Sequence, residues 1–303
     1  VRDDIYSRLL EQDELNVRVH MYPTMLSGLE RPIAMREACT DPMLMCSGVK
    51  HFFDGVSSCH TAYLKEPYAD AYYEGDCGKL SVDPDLMHHL VLEAAENDFC
   101  MRVHTIGDQA IHLMLNYFED AEQKFGYKPY LQHTLEHLEN LQYEDIGRLA
   151  KDRVLASVQP PHLMIDPNGI ERDLGQDRIH LMWPFRRMLD AGVRLAFGTD
   201  SPVVDINPFN GIYNAVTRQS AFDGKPEGGW IPMERVTAYE AVSAYTYGSA
   251  CAANRSHEIG TLTAGKYADI CVLDRDILEC DPEEILKTQN LFTMVNGKIV
   301  FER

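Results

Sequence analysis

Two imidazoles, a carboxylate and an amine recur along this chain, each where an apolar run gives way to a turn. They are Lys50 in GVKHFFDG, His104 in MRVHTIGD, His137 in LEHLE and Asp200 in FGTDSP, with Gln159 in ASVQPPHL between the last two. Each has an ordinary explanation when taken singly. His104 and His137 read as core histidines bonded to backbone carbonyls, His133 competes with His137 from four residues earlier, Asp200 reads as a cap before Ser-Pro, and Lys50 as a snorkelling or Asp54-paired amine. Together they carry a different chemistry. Neutral imidazole and carboxylate are the ligand types of zinc and similar divalent ions in hydrolytic sites that keep one position for water. An ammonium cannot ligate a cation. An amine whose pKa is lowered by burial can, however, react with carbon dioxide, and the resulting carbamate is a two-oxygen anion able to bridge two metals.

Such a site needs elements that bring distant segments together. Strand-like apolar runs fall at 16–22, 48–53, 100–104, 130–136, 154–159 and 193–199, and helical periodicity lies between them. One helix places Leu86, Met87, Leu90, Val91, Ala94 and Ala95 on a single face. The next repeats the pattern with Ile111, Leu115 and Phe118 and stops at Gly126; a third ends at Gly192. Alternating strands and helices predict βαβ units and a parallel sheet, and six in sequence favour a barrel, whose reactive groups sit at the C-terminal strand ends. Residues 1–15 read as the end of an amphipathic helix with Ile5, Leu9 and Leu10 on one side. Beyond residue 258 the texture changes to alternating strands with glycine turns near 268–274 and 291–302, so we expect a barrel domain over 1–258 and a small β portion over 259–303. Half a sandwich exposes an edge, which predicts association between copies as a homo-oligomer.

The formal charge of −19, from 28 basic and 47 acidic residues in 303, repels phosphate backbones and anionic lipid, so neither nucleic acid nor a membrane surface is an expected partner. A small neutral, cationic or metal-bound ligand is easier to accommodate. Eight cysteines without a CxxC pair argue against a zinc ribbon or a disulfide framework, and with no apolar run long enough to span a bilayer the expected compartment is the reducing cytoplasm.

In order, GVKHFFDGVSSCHTAYLKEPYAD, VHTIGDQAI, LEHLE, ASVQPPHL, PFRRMLDAGVRLAFGTDSPV, NPFNGIYNAVTR and GTLTAGKYADICVLDRD resemble the amidohydrolase superfamily, in the amidohydrolase 3 branch that includes N-substituted formamide deformylases. The resemblance implies an α/β fold, a TIM β/α barrel of the metal-dependent hydrolase type with a small C-terminal β-sandwich portion. It makes Lys50 the carbamylated strand-four ligand, His104 and His137 the ligands from strands five and six, and Asp200 the strand-eight aspartate, both ligand and general base. Gln159 and His162 fall beside the substrate pocket. The implied cofactor is one or two divalent metals, zinc foremost, and the implied reaction is hydrolysis of an amide-like carbon–nitrogen bond. The histidine–glutamate pattern of nucleoside deaminases is absent from VHTIGD. So is the His-x-His pair of the family's first strand: His88 and His89 are adjacent and lie on a helix. Counted this way the barrel is incomplete, holding strands three to eight, and a fragment lacking the pair is expected to be inactive alone. The alternative is a non-catalytic regulatory or binding homologue that keeps the barrel.

Overall fold

The computed structural model describes residues 2–303. The chain opens with helix α1 (Asp3–Glu11), strand β1 (Val19–Met21), helix α2 (Glu30–Ala38) and three short strands, β2 (Thr40–Asp41), β3 (Leu44–Cys46) and β4 (Val49–Phe52). β1 pairs in parallel with β3, and β2 lies antiparallel on its other side. β3 and β4 are two parts of one extended segment: Ser47 N donates to Met21 O (3.0 Å), and two residues past Gly48, Lys50 N donates to Pro23 O (3.1 Å). Glycine is required at 48. A Cβ there would lie 2.5 Å from Cys100 O.

From β4 onward the chain alternates. Helix α3 (Pro84–Glu96) precedes β5 (Met101–Thr105), α4 (Asp108–Phe125) precedes β6 (Thr134–His137), and α5 (Tyr143–Lys151) precedes β7 (Leu155–Val158). Helices α6 (Pro167–Leu174) and α7 (Phe185–Asp190) lead to β8 (Leu195–Phe197), followed by α8 (Pro208–Thr217), α9 (Ala238–Ser243), a π turn and α10 (Ser249–Ala252). Strands β4 to β8 form a five-stranded parallel sheet in sequence order. β6 and β7 are buried at every residue, as parallel strands covered on both faces must be. The helices follow their sequence signals. Asp83 caps α3 by accepting from Asp85 N and Leu86 N, Pro84 occupies the first turn, and Met87, Leu90, Val91, Ala94 and Ala95 are buried; Leu86, expected on that face, is exposed. Gly126 ends α4 at φ +79°.

The expected strand at 130–136 is shorter in fact, Thr134–His137, and His133 lies outside it. The α/β class with a parallel sheet is as expected, and in keeping with the incomplete barrel expected, among the described residues β8 pairs only with β7 and β1 only with β3. A small antiparallel sheet follows near the C-terminus, with β10 (Asn290–Val295) between β9 (Ile270–Leu273) and β11 (Lys298–Glu302), and helix α11 (Pro282–Ile285) in the β9–β10 connection. Arg18 joins it to the N-terminal segment by donating to Asp269 Oδ1 (2.9 Å). No helix among the described residues is long and apolar enough to cross a membrane.

Candidate metal centre

The parallel register fixes which side chains share a level. Lys50 of β4 stands opposite Arg102 of β5, Phe52 opposite His104, His104 opposite Glu136 of β6, and Thr105 opposite His137. Lys50 is half-buried, with Nζ 5.0 Å from the centroid of the Phe52 ring. Burial pushes its pKa below the usual lysine range; Arg102 adds to the fall, and Glu136 and Asp200 oppose it. It does not pair with Asp54. That buried carboxylate accepts from Tyr63 N (3.0 Å), Ile106 N (3.0 Å) and Gly107 N (2.7 Å), tying the loop after β4 to the start of α4. The same long loop is held together by His60, whose ring lies between those of Tyr68 and Tyr72 (4.0 and 3.8 Å), with Nδ1 2.8 Å from Asp76 and Nε2 3.0 Å from Asp70, and it meets α6 where Ala69 N donates to Asp173 O (2.8 Å).

His104 sits at the end of β5 with Nε2 2.9 Å from Gly55 O. A carbonyl only accepts, so Nε2 carries the hydrogen and Nδ1 keeps the lone pair. Its ring stands edge-on to His137, centroids 4.5 Å apart. His137, the last residue of β6, adopts φ +75°, and Asp200, just past β8, adopts φ +53°. Left-handed backbone at non-glycine residues costs free energy that the surrounding fold must offset, and such residues concentrate at functional sites. His162 lies on the short 3-10 turn Pro160–Met164 that follows β7, its ring centroid 5.9 Å from that of His137.

One ligand atom from each of His137, His162 and Asp200 lies within 4.8 Å of the others. His137 Nδ1 and His162 Nε2 are buried without a hydrogen-bond partner, as is Gln159 Oε1, while Gln159 Nε2 donates to Glu136 Oε2 at 3.4 Å. Burial pushes His104, His137 and His162 below the usual imidazole range, and the neighbouring His104 and Lys50 lower His137 further. The rings are therefore neutral. Neutral imidazoles with orphaned nitrogens beside a carboxylate form a donor set that fits a zinc-like divalent ion. Asp200 is exposed, and its side chain accepts no backbone N–H among the described residues, which removes the capping explanation.

Lys50 and His104 flank this grouping, outside its tightest part. His162, read from the sequence as a substrate contact, is inside it. His133 belongs elsewhere: its Nδ1 accepts from Met101 N (3.2 Å) and its ring stacks on Phe118 of α4 at 4.6 Å, on the helix side of the sheet. The sequence reading passed over Arg102 and Glu136, which approach to 3.4 Å beneath the site, with Arg102 over the Tyr22 ring at 4.7 Å. The available signal was parity: on its strand Arg102 shares the alternation of His104, and Glu136 sits level with His104 across the register.

The sequence profile of the amidohydrolase family (Amidohydro_3) matches residues 4–301. Protein LONG AFTER FAR-RED 3 of Arabidopsis thaliana is 30% identical over 85% of this chain and 43% of its own length. The N-substituted formamide deformylase of Arthrobacter pascens is 32% identical over 72% of this chain and 39% of its own. An uncharacterized metal-dependent hydrolase from Pyrococcus horikoshii superposes with a TM-score of 0.77 at 26% identity, covering 91% of this chain and 54% of that one. The chain spans about half the length of the proteins it matches.

Proposed function

The chain belongs to the amidohydrolase family, and from that premise we propose that the longer protein is a metal-dependent hydrolase of an amide-like carbon–nitrogen bond. The observation that carries this reading is the convergence of His137, His162 and Asp200 ligand atoms within 4.8 Å at the ends of successive parallel strands. His137, His104 through its free Nδ1, Asp200 and a carbamylated Lys50 would hold the ion, zinc being the ion such donors suit best. Bound there, the cation supplies Lewis-acid polarisation of the scissile carbonyl and lowers the pKa of a water toward neutrality.

The side chains do the rest. An Asp200 carboxylate oxygen accepts the proton of the attacking water and returns it to the leaving nitrogen, which must be protonated because an amide anion departs poorly. The open flank of Asp200 leaves room for both transfers. His162 and Gln159, on the turn after β7, face the substrate; Gln159 Oε1 offers an acceptor and His162 Nε2 a second polar contact with which to orient the amide. Lys50 supplies a desolvated amine: its nitrogen lone pair adds to carbon dioxide, the amine loses one proton, and the product is an N-carboxylate.

The test is elemental analysis of the purified full-length protein together with a screen of neutral amides. Stoichiometric divalent metal and chelator-sensitive hydrolysis are expected. Metal-free protein, or turnover indifferent to chelation, would overturn the reading.

A further inference from the structure

A cavity of about 280 Å³ lies between the turn that carries His162, the chain that follows Asp200, and α8 with the loop after it. Its apolar wall is Pro161, Met164, Val204, Ala221 and Phe222. Pro161 directly precedes His162 and Val204 lies four residues past Asp200, so the wall and the centre are built from the same two segments. Of the lining residues Phe222 is exposed at 98%, and Ile165, Val203 and Ile206, each next in sequence to a lining residue, are exposed at 60%, 58% and 72%. A chain of net charge −19 that leaves four apolar side chains in water along the segments that build one cavity has a use for them.

The polar part of the lining is equally selective. Asp205 is its single charged residue, and no lysine or arginine lines the cavity. Asn214, 2% exposed, donates through Nδ2 to Gln219 O (2.6 Å), which leaves its Oδ1 as an acceptor. A carboxylate entering here would meet acceptors and like charge without a counter-ion, a costly arrangement. An apolar cavity of about 150 Å³ holds benzene. This one has space for a ring and a short linker.

We propose that this cavity is the specificity subsite of the enzyme, that it receives an uncharged aryl or branched-alkyl substituent of the amide substrate, and that Met164, Val204 and Phe222 set the size it accepts. The inference rests on the hydrolase reading above and adds the substrate class. Small pockets discriminate strongly by fit: one methylene is worth roughly 10- to 200-fold in kcat/KM.

The experiment uses the full-length protein and amides that differ only in the group to be seated. N-methylacetamide is compared with N-(2-phenylethyl)acetamide and with N-methyl-3-phenylpropanamide, which place the ring on either side of the scissile bond, and with the para-carboxy analogue of each. One phenyl compound is expected to exceed the methyl compound by about tenfold or more in kcat/KM, and its carboxy analogue to lose that gain. Val204→Phe, which fills the cavity, should lower kcat/KM for the phenyl substrate at least about tenfold more than for the methyl one, and Phe222→Ala should raise its KM with little change in kcat. Equal losses on both substrates, or a preference for the carboxylates, would overturn the subsite. Binding separates the two readings: in Phe222→Trp the phenyl amides should change the new indole fluorescence saturably, and adding Val204→Phe should abolish that change. Saturable binding without hydrolysis removes the hydrolase reading and keeps the cavity; hydrolysis without discrimination does the reverse. The absence of both binding and discrimination rejects the subsite.

Discussion

The candidate centre has two unlike halves. On the β6–β8 side, His137, His162 and Asp200 present ligand atoms within 4.8 Å of one another, and both imidazoles keep a buried nitrogen free of any partner. On the β4–β5 side the groups are occupied or apart: His104 Nε2 is committed to Gly55 O at 2.9 Å, and the Lys50 amine lies 5.0 Å over the Phe52 ring. The first half has left-handed backbone at two of its three residues and side chains with nothing to hold. The second half has relaxed backbone and side chains held by their neighbours. Strain together with orphaned polar atoms marks where a fold has been shaped for something it must bind; on the other side the committed Nε2 of His104 fixes the ring and leaves Nδ1 for an ion.

The largest expected effect attacks the strained half. Asp200→Asn in the full-length protein should keep most of the metal, because the amide retains an oxygen, yet lower kcat by roughly 10²- to 10⁴-fold, because it cannot accept a proton. Elemental analysis and kcat on the same preparation check both parts. Full activity in the variant would remove Asp200 from the chemistry and leave it a spectator of its own geometry.

The comparison sharpens on the histidines. His137→Ala and His104→Ala are expected to lose the metal, the second because its tautomer is fixed by Gly55 O on a rigid strand and leaves Nδ1 ready to ligate. His162→Ala is expected to keep the metal and raise KM, since a short 3-10 turn holds its side chain less firmly than a strand. Metal retained in His104→Ala and lost in His162→Ala would transfer the third ligand to the tight grouping and make the β4–β5 half purely supportive.

A third, smaller effect concerns the charges beneath the site. Glu136 lies 3.4 Å from Arg102 and accepts from Gln159 at 3.4 Å. Glu136→Gln should preserve the fold but loosen Gln159, with a several-fold rise in KM for the amide and a smaller change in kcat. A variant indistinguishable from the parent in both constants would show that the pair supports only the sheet.

How much of this was legible beforehand follows from the physics of each part. Parallel strands covered on both faces must be apolar throughout, so runs such as LASV at 155–158 announce themselves, and an Asp-Pro cap announces α3. Residues 130–133 misled because the run reads as β while the structure fixes it otherwise, with the Tyr130 hydroxyl donating to Asp98 Oδ1 at 3.2 Å and His133 turned toward α4. His104, His137 and Asp200 were visible as residue types at or just past strand ends; Lys50, expected at such an end too, is the second residue of β4. That Arg102 and Glu136 lie beneath them was not, because it depends on a register no single strand reveals. Nor was the place of His162 beside His137, which is set by a turn.

The smallest effect concerns the outward face of β4, back to back with Lys50. His51 is 2% exposed and neither ring nitrogen has a partner. Burial, with help from Lys50, pushes its pKa down to about 4 from an ordinary 6.5. A folded-state pKa below the unfolded one means that the unfolded chain binds the extra proton first, so this residue's contribution is intact above pH 6.5 and is lost as pH falls toward 4. At about 1.4 kcal/mol per unit the loss across that window is on the order of 3 kcal/mol. His51→Leu has a similar volume, removes two unpaired buried nitrogens and abolishes the titration. It should stabilise the protein by about 1–2 kcal/mol at pH 7 and by more at pH 4.5, measured by urea unfolding at the two values. The gap between the two pH values is the diagnostic part. A leucine variant that gains nothing at pH 4.5 over pH 7 would mean that His51 is not the buried neutral imidazole described.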